Sequence, residues 1–227
     1  MLKFSKIGVL LTVAAFCGLL ASSAGAAEWH TNGHKAFSST NAGPSRLAIH
    51  NAGAIVLVEC QSSTGTGTLK GPTFAGSTFP SAATVTPQFG GPCLFSGPPG
   101  YSVLCSPAEL NAISYSGGTT LATAGGGVTA VSMTGVDCTL RFGATVCSTI
   151  TGSVLGHYIN PNPIATGAGT LTVTSTGQSL TIEKVGSGCA AIPHGTVTLG
   201  KPDVGSGVSD ITYTVDGPNA PYLFRTP

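Results

Sequence analysis

Beyond its first residues, no useful stretch of this chain keeps a helical repeat. What recurs is a short run of Val, Ile, Leu, Thr or Tyr closed off by Gly, Pro, Asn or Ser. A chain punctuated in this way forms strands and turns. The clearest runs are 54–58, 128–133, 154–159, 169–174, 179–185, 196–199 and 211–215. Their number and spacing predict an all-β fold, an antiparallel β-sandwich or barrel-like domain stapled by disulfides. Leu171 and Val173 alternate with Thr, as do Leu180 and Ile182, and Ser175-Thr176-Gly177-Gln178 between them predicts a hairpin turn. By contrast, 62–71 and 116–127 are Gly/Thr-rich and read as loose loops.

The first residues form a separate unit. Lys3 and Lys6 precede an apolar run from Ile7 to Leu20, and small residues end in Ala24-Gly25-Ala26. A charged start, a short apolar centre and an A-x-A site are the marks of a secretory signal peptide, assigned here to residues 1–26. The run is shorter than the roughly 20 apolar residues of a membrane span. Cys17 follows Phe16 inside it, which does not fit a lipidation site. Residues 27–227 are then expected to be a single extracellular domain, secreted or associated with the cell envelope, with no membrane span.

Removing Lys3 and Lys6 leaves seven basic side chains against eight acidic ones. Nothing in that balance draws nucleic acid or anionic lipid. Charged residues are 7% of the chain, against about 25% in an average domain. The surface must therefore be built largely of Ser, Thr, Gly and Asn, and it has little self-repulsion to oppose association.

Six cysteines remain after the leader: Cys60, Cys93, Cys105, Cys138, Cys147 and Cys189. An even number in an exported chain implies disulfides, here with fifteen connectivities. Neither a C-x-x-C nor a close Cys/His pair suggests zinc. A two-residue turn at Phe142-Gly143 would set Cys138 opposite Cys147, although Phe142 resists the positive φ of such a turn and a bulge would shift the register. Cys93 and Cys105 flank Ser96-Gly97-Pro98-Pro99-Gly100, which leaves Cys60 for Cys189. The expected pairs are thus Cys138–Cys147, Cys93–Cys105 and Cys60–Cys189.

Trp29-His30-Thr31-Asn32-Gly33 just after the leader, the cysteine order and the apolar stretch 110–121 with Tyr115 resemble a group of exported six-cysteine β proteins of actinobacteria. The resemblance implies a secreted β fold and no particular activity.

No catalytic, metal or cofactor motif emerges. If Asn32-Gly33 is a two-residue hairpin turn, His30 and His34 point to opposite sheet faces and cannot chelate, whereas a three-residue turn would bring them together. Ser is abundant and His50, His157 and His194 are available, but neither G-x-S-x-G nor S-x-x-K occurs. Glu59 and Asp137 would meet only if their strands were neighbours; each is expected on the solvent face beside an inward cysteine. Gly65-Thr66-Gly67 and Gly125-Gly126-Gly127 lack the Lys-Ser/Thr of a phosphate loop. Phe74, Phe79, Phe89, Phe95 and Tyr101 crowd one Gly/Pro-rich segment. Exposed, they would stack on sugar rings or meet a partner; buried, they are core. The sequence therefore leads to a non-enzymatic structural, adhesive or surface-interaction protein, with an unidentified extracellular partner or self-association. An extracellular carbohydrate or small-ligand binding module is the alternative, and a secreted hydrolase ranks behind both.

Overall fold

The computed structural model describes residues 26–95, 99–185, 189, 192, 194–216 and 220–227. Apart from Ala26, the expected leader lies outside the described residues. The strands are β1 (Glu28–Thr31), β2 (Ala36–Asn41), β3 (Ser45–Asn51), β4 (Ala54–Cys60), β5 (Ser62–Leu69), β6 (Thr73–Ala75), β7 (Phe79–Gly90), β8 (Cys93–Phe95) and β9 (Pro99–Cys105). They continue with β10 (Ala108–Ser116), β11 (Val128–Phe142), β12 (Thr145–Ile159), β13 (Gly169–Val173), β14 (Ser179–Lys184), β15 (Gly195–Pro202), β16 (Val208–Ser209), β17 (Ile211–Val215) and β18 (Leu223–Thr226). Every pairing is antiparallel, and the described residues contain no helix. The all-β expectation holds, and no described helix is long and apolar enough to cross a membrane.

The long hairpin β11–β12 organises the rest. Two closed rings of pairing share it. One runs β12-β13-β17-β2-β5-β7-β10-β11. The other runs β12-β14-β15-β3-β4-β8-β9-β11. Closure removes the open edges that an extended sheet would expose.

The hairpin passes from one ring to the other at a bulge. Met133 faces Val154 and Val136 faces Gly152, so the β11 side holds one residue more than the β12 side. A bulge bends and twists the ladder, and glycine accommodates both sides, Gly135 at φ 69° and Gly152 at φ 137°. At the same level the flanking strands change over. β9 and β10 lie end to end along β11, separated by Ser106-Pro107. β13 and β14 lie end to end along β12. The predicted β13–β14 hairpin is therefore not formed: Thr174–Gln178 lets one strand leave the first ring and continue into the second.

A smaller sheet, β18-β1-β6, pairs the two ends of the described chain, with Trp29 opposite Arg225. Trp29 is fully buried with Phe37, Leu69, Phe79, Tyr158 and Leu223, in an apolar cluster that belongs mainly to the first ring. Asn160, itself buried, holds the last strand: its Nδ2 donates to the carbonyls of Ala124 and Leu223, and the Leu223 N–H donates to its Oδ1 at 2.9 Å. The other cluster gathers Ile49, Val58, Leu140, Ile150, Ile182 and Val197 around the disulfides.

The structure corrects all three expected cysteine pairs; the bonds are Cys60–Cys93, Cys105–Cys138 and Cys147–Cys189. Cys138–Cys147 fails because the turn falls one residue later, at Gly143-Ala144, and a bulge between Leu140 and Arg141 sets Cys138 opposite Ile150. Cys93–Cys105 fails because Cys93 pairs with Tyr101, and four residues further on Cys105 faces Cys138. Cys60 is taken by Cys93, since Glu59 faces Leu94 across β4 and β8, and Cys189 therefore bonds Cys147. Neither the two-residue nor the three-residue hairpin turn considered for Asn32-Gly33 is formed. β1 and β2 lie in different sheets, and Gly33, at φ 81°, turns the corner between them.

Candidate functional site

The five aromatic candidates are not brought together. Phe79 is buried and stacks on the partly exposed Phe74, with ring centroids 4.9 Å apart. Tyr101 is buried between Phe95 and Phe142, at 5.2 Å from each. Phe89 lines an interior apolar void of about 60 Å³. Most of this segment thus anchors the core at separate places, and the rings form no common platform.

The titratable groups are equally scattered. His30 stacks on Phe224 at 4.9 Å with Glu28 3.7 Å away, while His34 is exposed in the corner. Among the described residues no group of three or more His, Cys, Asp or Glu side chains has the arrangement to hold a metal ion. Glu59 pairs with Arg46 at 3.0 Å, and Asp137 is exposed on a strand that does not adjoin it. Both stand on the solvent side beside an inward cysteine, as the strand alternation requires.

One Ser/His/Asp neighbourhood does exist. Asp210 accepts hydrogen bonds from the Ser175 N–H at 2.8 Å and the Ser175 hydroxyl at 2.9 Å. Those two bonds, with a smaller contribution from His157, hold its carboxyl below the usual range. The hydroxyl donates to the carboxylate itself. A nucleophilic serine needs its hydroxyl on an imidazole, with the acid behind that imidazole, so this arrangement orders a loop and activates nothing.

The most regular feature of the surface is an array of threonines on the outer wall of the first ring. β5 reads Ser-Ser-Thr-Gly-Thr-Gly-Thr-Leu, so Thr64, Thr66 and Thr68 face outward while Ser63, Gly65, Gly67 and Leu69 face inward. The inward glycines permit close packing: a Cβ on Gly67 would lie 2.5 Å from the Phe37 ring and 2.6 Å from the Thr84 carbonyl. The pairing registers align the outward residues across strands. One row runs Thr170, Thr214, Thr40, Thr64 and Gln88. The next runs Ser38, Thr66, Thr86, and a third runs Ala36, Thr68, Thr84.

The last two rows floor a groove of about 450 Å³ with Pro107 and Asp216 at its sides. Asp216 accepts from both the N–H and the hydroxyl of Ser38, at 3.0 and 2.6 Å, and among the described residues that line the groove it is the only ionisable group. The Gly/Thr-rich composition of 62–71 predicts a loop there and so hides the central strand of this array. The signal was present in the Thr-x-Thr spacing of 64–68, 84–86, 170–172 and 212–214, which is a strand period.

In comparisons with protein-family models, curated proteins and solved structures, the chain matches none.

Proposed function

We propose that this is an exported, non-enzymatic surface-interaction protein that works through the threonine-bearing outer wall of β13, β17, β2, β5 and β7. The observation that carries this reading is the register itself. Threonines from separate segments are aligned into rows on one face, where packing does not demand them. Threonine is stiff at χ1, so a face of this kind meets a partner with little side-chain entropy to lose. Closed pairing from β12 through β13, β17, β2, β5, β7 and β10 to β11 holds the wall in shape. The aromatic segment supports the binding-module alternative less well, since Phe79 and Tyr101 are core.

The test is co-sedimentation of the purified protein with envelope material of the organism that produces it. Wild type is expected in the pellet, and Thr66→Arg/Thr86→Arg in the supernatant, with both proteins equally stable to heat. Equal pelleting of the two would remove the threonine wall from the function. A hydrolytic activity lost in Ser175→Ala would replace the reading altogether.

A further inference from the structure

We infer that the groove floored by Thr66, Thr68, Thr84 and Thr86 binds a neutral polysaccharide chain, a deepening that rests on the reading of the threonine wall as the working surface. Four observations carry it. First, the groove, at about 450 Å³, lies in the size range of ligand sites, and one end of its floor continues into the row Thr64, Thr40, Thr214, Thr170. A ligand longer than the groove therefore has a surface of the same kind to follow.

Second, each threonine offers a hydroxyl that both donates and accepts beside a methyl group. This is the pairing that a sugar ring presents in return, hydroxyls at its rim and C–H groups on its faces. The Asp216 carboxylate at one side has acceptor capacity beyond its two bonds from Ser38, and the exposed Pro107 ring opposite gives an apolar ledge.

Third, the floor repeats. Outward residues recur about every 6.6–6.8 Å along a strand and about every 4.7–4.9 Å across strands. A repeating floor suits a ligand that repeats, and many weak equivalent contacts along one chain add up by avidity. The rows carry no aromatic platform, so affinity for a short oligosaccharide is low and binding is to the polymer.

Fourth, the competing occupants fit less well. An extended peptide joins a sheet by adding to a free edge, but β2, β5 and β7 are each paired on both sides. A polyanion would meet Asp216 and no basic side chain among the lining residues.

The experiment is native affinity electrophoresis of the full exported protein through gels containing hydroxyethyl cellulose, dextran or mannan, with carboxymethyl cellulose as the charged comparison. At least one neutral polymer is expected to retard wild type more than the charged one does. Thr66→Val/Thr86→Val, which keeps side-chain shape and removes two hydroxyls, should weaken retardation about tenfold, while Phe74→Ala leaves it unchanged. No retardation by any neutral polymer, equal retardation of wild type and the valine variant, or loss in Phe74→Ala overturns the assignment. If envelope binding remains sensitive to Thr66→Arg/Thr86→Arg in that event, the wall is still the working surface and only the ligand class falls.

Discussion

Cys105 and Cys138 stand directly opposite each other on β9 and β11 with their Cα atoms 3.9 Å apart, and Cys60 and Cys93 face each other on β4 and β8 at 4.1 Å. Both are cross-strand bonds set by register, and each spans 33 residues. A link of that span stabilises by about 3–4 kcal/mol on the chain-entropy account. In a chain of this length, Cys60→Ser/Cys93→Ser should lower the melting temperature by roughly 5–15 °C. Calorimetry measures this, and a shift under about 2 °C would contradict the loop-closure account.

Tyr158 is the second test. Its hydroxyl donates to the Pro221 carbonyl, and burial pushes its phenol far above the ordinary value. Tyr213, hydrogen-bonded to Ser63 at 2.8 Å, is raised by the same cause. The unfolded phenols ionise near pH 10 while the folded ones stay neutral, so the stabilisation is complete below about pH 10 and is lost as pH rises above it. Urea unfolding from pH 7 to pH 11 should show this decline. Tyr158→Phe should cost about 1–2 kcal/mol at neutral pH, because the Pro221 carbonyl loses its partner, and should flatten the decline.

At the acid end the group to follow is Asp210. Its carboxyl is lowered chiefly by the Ser175 backbone N–H and then by the Ser175 hydroxyl. A lowered carboxylate contributes stability that is present above the unfolded value and is lost as pH falls through the folded one. NMR titration should place Asp210 below an ordinary aspartate, and Ser175→Ala should move it part of the way back. An Asp210 that titrates identically in the two proteins would mean that the hydroxyl bond is not made in solution.

Arg46 ties a turn to the sheet. Its Nε and Nη2 donate to Glu59, and its Nη1 donates to the carbonyls of Asp203, Gly205 and Gly207. Val204 at the tip is 93% exposed, so no burial of its own holds the turn. Arg46→Lys cannot reproduce the fork and is expected to cost about 1 kcal/mol. It should also speed amide exchange at Gly207, whose N–H is bonded to Val204. Unchanged exchange there would show that the turn stands without the arginine.

The alternation of Leu171 and Val173 with threonine is local information, and it correctly marked a strand. It did not say that β13 and β14 pair with β12 rather than with each other, because partner choice depends on where the long hairpin bends. Ser62–Leu69 shows the opposite failure. Gly65 and Gly67 look like loop residues, yet they are the inward positions of a strand packed too closely for a Cβ.

Period-two alternation, turn residues and an even cysteine number by themselves determined that this chain is all-β and stapled by disulfides, since each is a short-range or counting property. The cysteine partners, the two rings and the alignment of the threonines were decided only by the tertiary structure. In a sheet a one-residue shift reverses which side chains face each other, and here the shifts are made by bulges at 134–135 and near Cys147, where the strand period continues on either side and hides the change of register.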